Sequence, residues 1–159
     1  GLSINWLASC LLAFTIFFYS VVYTIWLKRH TVQNIVIGGA AGAFPPIIGH
    51  ICATGSIGVE ALILFLIIFL WTPPHFWALA LVNKSDYRVA KIPMLPIIYG
   101  DMATRKNIFI YSLLLMPCTY LPWILNYSGN SYVIVVTLLN IEFIRRSISV
   151  LKDTPDVPL

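Results

Sequence analysis

Between Asn83 and Lys106 a single carboxylate, Asp86, stands among Lys84, Arg88 and Lys91, with Pro93 and Pro96 stiffening the stretch that follows. Cations gathered around one acid beside an apolar run suit a diphosphate held by magnesium. Mg²⁺ takes one or two carboxylates together with phosphate oxygens, and lysine or arginine donates to the oxygens that remain. The same residues also describe a solvated basic loop drawn to anionic lipid head groups. A second constellation is Trp71-Thr72-Pro73-Pro74-His75-Phe76-Trp77. Polar groups are expensive at membrane depth, so a histidine there is a functional candidate. The ring nitrogens of His75 suit a haem iron or a cation, and Trp71, Phe76 and Trp77 suit a cationic intermediate. A plainer account is an aromatic belt at a membrane interface.

The other polar residues have simpler explanations. His30 lies in a basic stretch, and His50 follows Pro45-Pro46, from where it can snorkel toward water. Glu60 opens an apolar run, where the positive end of a helix favours an acid. Asp101 reads as the N-cap of a helix beginning at Met102. Cys10, Cys52 and Cys118 are far apart in apolar stretches without a C-x-x-C pattern, and read as small buried hydrophobes.

These groups must be positioned by an unusual chain. Its 159 residues are 59% hydrophobic and only 10% charged, with a mean hydropathy of +0.87. A soluble domain carries about a quarter charged residues, so that class is excluded, as is disorder. A net charge of +4 would suggest nucleic acid in a soluble protein; here no nucleic-acid partner is expected and the partner is the bilayer. Apolar runs predict an all-α polytopic bundle with five spans in one membrane domain, at about 4–27, 35–54, 59–82, 107–125 and 132–151, followed by a polar tail over 152–159. The second is rich in glycine and alanine, which let helices approach closely. Of the ten basic residues, seven fall on the connections after the first and third spans, and Arg145, Arg146 and Lys152 lie where the fifth fades, at the same side. The positive-inside rule makes that side cytoplasmic. The 83–106 connection is long for a loop with no binding or gating role.

Several stretches, taken together, closely resemble a known family. They are Tyr23-Thr24-Ile25-Trp26-Leu27-Lys28-Arg29, the run from Asn34 to Gly49 with Gly38-Gly39-Ala40-Ala41-Gly42 and Pro45-Pro46, Trp71 to Ala80, Asp86-Tyr87, and Ile92-Pro93-Met94-Leu95-Pro96. The resemblance, over about Tyr23 to Pro117, is to the haem-farnesylating protoheme IX farnesyltransferases, within the UbiA-type intramembrane prenyltransferases. It implies transfer of a farnesyl group from farnesyl diphosphate to a vinyl group of haem B, giving haem O, in the inner membrane of a bacterium, upstream of haem A formation and oxidase assembly. It also implies nine helices around a cavity, with two acidic motifs holding Mg²⁺-diphosphate. On that pattern Asp86 falls in the second acidic motif as metal ligand and catalytic group. Lys84, Arg88 and Lys91 become diphosphate partners, joined by Lys28 and Arg29, and His75 becomes a haem contact.

Departures from the pattern are specific. The six acids are Glu60, Asp86, Asp101, Glu142, Asp153 and Asp156, and none forms the family's first motif, N-x-x-x-D-x-x-x-D. His50 stands where the pattern has tryptophan, and the match corresponds to helices four to eight of nine. These 159 residues are therefore expected not to turn over by themselves. Two other readings compete: a prenyltransferase for an aromatic quinone precursor, against which the Trp71–Trp77 segment argues, and a non-catalytic membrane fragment.

Overall fold

The computed structural model describes residues 5–153; Ile4, the start of the expected first span, and residues 154–159 of the expected tail lie outside them. Among the described residues all regular structure is helical. Asn5 opens the first helix, its Oδ1 accepting from the N–H groups of Leu7 and Ala8 at 2.8 and 3.2 Å, the cap that asparagine supplies ahead of an apolar run. Helix α1 (Trp6–Phe17) passes without a break into a π-helix (Phe18–Leu27) and a short turn α2 (Lys28–His30). The π winding shows in its bonds: the Lys28 N–H donates to the Tyr23 carbonyl, and the Thr24 hydroxyl to the Tyr19 carbonyl at 2.8 Å.

Helices α3 (Asn34–Ala43) and α4 (Pro45–Thr54) meet at Phe44. Pro45 and Pro46 sit in the first turn of α4, where a missing N–H costs nothing. The chain leaves α4 at Gly55, whose φ of +82° is left-handed, a conformation that glycine adopts without strain. The small residues of α3 do what their size suggests. A Cβ on Gly38 would overlap the Tyr23 ring, and one on Gly39 would stand 3.0 Å from Thr72 Cγ2. Gly38→Ala is expected to destabilise the bundle by about 1–3 kcal/mol through overpacking. Thermal unfolding in detergent measures it, and a parent-like midpoint would mean that the ring simply steps aside.

Helix α5 (Val59–Val82) is the centre of the bundle and packs against α3, α4 and α8. Glu60 stands in its first turn, as the dipole argument expects. Pro73 and Pro74 leave the carbonyls of Phe69 and Leu70 without helical donors, and both prolines are buried. Trp77, Ala80, Met94, Leu95, Ile108 and Ile35 form the main core. A smaller one, of Ala8, Ile47, Ile51 and Ala61, lies where α1, α4 and α5 meet.

The long connection is ordered into α6 (Lys84–Val89) and α7 (Leu95–Ile98), and α8 (Gly100–Ile124) begins well before the expected Asn107. Asp101 is consequently not an N-cap. It lies inside the first turn of α8 and takes the Lys84 ammonium at 2.5 Å, so two charges that looked loop-like are spent on each other. Helix α9 (Asn130–Lys152) returns along α8. The pair is joined at one end by Trp123 Nε1 to Asn130 Oδ1 (3.0 Å) and Tyr132 Oη to the Thr119 carbonyl (2.8 Å). At the other end Arg105 donates to the carbonyls of Val150, at 2.9 Å, and Asp153.

Four helices, Trp6–His30, Asn34–Thr54, Val59–Val82 and Gly100–Ile124, are long and apolar enough to cross a membrane. Helix α9, expected as a fifth span, is not among them and carries Glu142, Arg145 and Arg146 near its end. The cysteines correct their expectation: Cys10 and Cys52 are exposed and Cys118 is half-buried. In a bundle whose surroundings are themselves apolar, a small apolar residue need not turn inward.

Candidate functional site

A cavity of about 490 Å³ opens between the π-helix, α3, α5 and the α6–α7 connection. The first helix contributes Tyr19, Tyr23 and Lys28. Helix α3 gives Asn34 and the glycines Gly38, Gly39 and Gly42; the space a side chain would fill is taken by Tyr23 at Gly38 and by Thr72 at Gly39, and is open at Gly42. From α5 come Ile68, Trp71, Thr72 and Phe76, neighbours on one helical face, and the connection closes the wall with Tyr87, Ile92 and Met94. The result is a mostly apolar, aromatic chamber with one lysine and several polar groups, the usual make-up of a ligand site.

The aromatic segment divides. Trp71 and Phe76 line the cavity, whereas Trp77 is 2% exposed and packs edge-on against Tyr111, with ring centroids 5.2 Å apart. Trp77 therefore serves the core and not the chamber. His75 is half-buried and is not part of the cavity wall. Its ring stacks on Trp71 at 4.4 Å and meets the edge of Phe76 at 5.3 Å, so it backs two residues that do line the wall.

Of the expected diphosphate partners, Lys28 alone belongs to the wall. Arg29, Arg88 and Lys91 are exposed beside it in sequence or on the facing connection, and Lys84 is held by Asp101. Asp86 is exposed; its Oδ1 accepts from Ser85 Oγ at 3.3 Å, and it makes no ion pair among the described residues. Its neighbour Tyr87 is in the wall. The two basic connections singled out in the sequence thus do meet, through Lys28 on one side and Tyr87 and Ile92 on the other. Among the described residues no three His, Cys, Asp or Glu side chains converge. A lone free carboxylate still fits magnesium that arrives with a diphosphate, since phosphate oxygens and water fill the other positions.

Tyr19, Tyr23, Asn34, Thr72 and Tyr87 were not among the candidates from sequence. A signal existed for some of them: Asn34 is a polar residue opening an apolar run, and Tyr19 and Tyr23 are spaced to share a helical face. Asn34 is 1% exposed; its Nδ2 donates to the Lys28 carbonyl at 3.2 Å, and its Oδ1 is buried without a donor.

Residues 1–158 match the sequence profile of the UbiA prenyltransferase family. The chain belongs to this family. Its UbiA-family relatives include proteins named protoheme IX farnesyltransferase from Brucella ovis, 58% identical, and Brucella anthropi, 57% identical, each over 91% of this chain and 46% of the relative. The protoheme IX farnesyltransferase 2 of Mesorhizobium japonicum is 58% identical over the same shares. The chain thus spans about half the length of the curated UbiA-family relatives that it matches. No solved structure matches it.

Proposed function

We propose that this chain is the part of a protoheme IX farnesyltransferase that forms one wall of its reaction chamber, in a single polytopic domain of a bacterial inner membrane with its basic connections on the cytoplasmic side. The substrates are farnesyl diphosphate and haem B, and the product is haem O, which feeds haem A formation and oxidase assembly. The observation that carries the reading is the chamber itself: Lys28 beside an aromatic and glycine-lined space, in a chain 58% identical to proteins of that name.

In this reading Lys28 holds the diphosphate at the basic end, with Arg29, Arg88 and Lys91 around the rim. Lys84 joins them only by leaving Asp101. Asp86 holds magnesium, which when bound offsets the charge of the departing diphosphate. Breaking the allylic C–O bond sends the electron pair out with the diphosphate. Trp71 and Phe76 face the cation that remains and exclude water until the vinyl π electrons of haem form the new C–C bond; the charge then rests on the carbon next to the porphyrin, where water adds as a hydroxyl and releases a proton. His75 supports Trp71 by stacking, and a contact with haem from its ring edge is the finer part of the proposal.

Membranes carrying these 159 residues alone are expected to contain no haem O, because the chain supplies one carboxylate where the chemistry uses two acidic clusters. Co-expression with the N-terminal half of the Brucella ovis relative is expected to yield haem O, read by chromatography of extracted haems. A prenylated quinone precursor in its place would favour the aromatic reading, and no prenylated product at all would favour a non-catalytic fragment. Within the restored pair, Lys28→Ala is expected to raise the KM for farnesyl diphosphate about 10- to 100-fold, the worth of a hydrogen bond to a charged group. An unchanged KM would take Lys28 out of the diphosphate site.

A further inference from the structure

Tyr19, Tyr23 and Lys28 reach the cavity from one helix at spacings of four and then five residues. An α-helix cannot do this. Nine residues at about 3.6 per turn make two and a half turns, so Lys28 would lie opposite Tyr19. A π-helix, with bonds closing five residues apart, turns in about 4.4 residues, and the same nine residues make close to two full turns. The residues between Tyr19 and Lys28 are wound in the π form, and the chain is gripped where that winding ends. Asn34 Nδ2 donates to the Lys28 carbonyl, and Gly38 leaves room for the Tyr23 ring against α3.

We propose that the π-helix is a register device that turns Lys28 onto the wall of Tyr19 and Tyr23, and that Asn34 is the positioning residue that locks it there. The inference rests on the diphosphate reading only for what Lys28 is aimed at. Its geometry stands apart from that reading. A ten-residue π-helix is rare, and such windings are found mostly as short insertions at functional sites. Both ends of the helix are held by side-chain hydrogen bonds: Asn5 caps its start and Asn34 holds its finish.

The test is a thiol scan in lipid nanodiscs, in a background with Cys10, Cys52 and Cys118 replaced by serine. Single cysteines at positions 19, 21, 23, 25, 26 and 28 are treated with a charged, water-soluble methanethiosulfonate and with a lipid-soluble maleimide. The π register is expected to group position 28 with 19 and 23 as reactive to the charged reagent. Positions 21 and 25, where Val21 and Ile25 are exposed and line no part of the cavity, should react with the lipid-soluble one alone. Position 26 joining 19 and 23 while 28 sides with 21 and 25 would overturn the proposal. Deleting Ile25 returns the spacing to four, which α winding aligns, so the thiol at 28 should stay reactive. Inserting an alanine after Thr24 should abolish that reactivity, and equal loss in both variants would also overturn it. Asn34→Leu should cost the signal at 28 and spare that at 23; no change at 28 would remove Asn34 from the lock. Magnesium with inorganic diphosphate should then slow labelling at 23, in the variant that keeps Lys28, and lose that effect when Lys28→Ala is added. A π pattern without that protection would sink the diphosphate role of Lys28 while the register stands.

Discussion

Replacing Asp86 by asparagine is expected to lower farnesyl transfer about 10²–10³-fold in membranes where this chain is paired with the N-terminal half of a relative, the usual effect of removing one preorganised electrostatic group from a transition state. Asparagine keeps the shape and the Ser85 contact but loses the charge. The carboxylate lies in the six-residue helix α6, one residue from Tyr87 in the chamber wall, and no ion pair among the described residues competes for it. Asp101, the other acid on that connection, is occupied by Lys84. Asp101→Asn is therefore the matched control: it breaks a partly exposed pair worth about 0–1 kcal/mol and should leave turnover near the parent value. Equal losses for the two variants would mean that the α5–α8 connection needs both negative charges for its structure and that Asp86 is not a metal ligand. Parent-like haem O from Asp86→Asn would remove it from the metal site.

Trp77→Ala is expected to give the largest loss of stability in the chain, about 3 kcal/mol. Truncating a buried tryptophan in a soluble protein costs about 3–5 kcal/mol, of which part is the transfer of apolar surface from water. In a bilayer the partly unfolded reference already surrounds the ring with hydrocarbon, so packing and the cavity left behind carry most of the cost. The ring is 2% exposed and sits in the core with Ala80, Met94, Leu95 and Ile108, edge-on to Tyr111. Its Nε1 is buried without an acceptor. Trp77→Phe keeps most of the volume and deletes an unpaired donor, so it should be close to neutral. Unfolding in mixed detergent–denaturant solution reads both. An alanine variant as stable as the phenylalanine one would show that the core collapses around the gap.

The apolar runs and the glycine and proline punctuation were legible because they act locally: Pro45-Pro46 starts a helix, Gly55 ends one, and Gly38 admits the Tyr23 ring. The charged start of α8 was not, because Asp101, Arg105 and Lys106 resemble a loop until their partners are known. Lys84 and the end of α9 supply the first two from far along the chain. Periodicity failed in the first helix for another reason. A uniform apolar run carries no phase, so nothing in it announces the π winding that brings Lys28 to the wall. In the Trp71–Trp77 segment the residue types were right, but their division between chamber and core depends on which face α5 turns toward α3 and which toward α8. The candidate site was read as a basic loop around Asp86; the structure adds the chamber behind it, walled by the first helix, α3 and α5 and closed by Tyr87, Ile92 and Met94 of the loop itself.

Helices α8 and α9 are fastened to each other at both ends, through Trp123 and Tyr132 at one and Arg105 at the other. A pair tied in this way cannot slide by a turn without breaking bonds that hydrocarbon will not replace. The wall between the first helix and α3 is tied more lightly, by the bond from Asn34 Nδ2 to the Lys28 carbonyl and the close approach that Gly38 allows the Tyr23 ring. Displacing the first helix from α3 would therefore break fewer side-chain bonds than displacing α9 from α8.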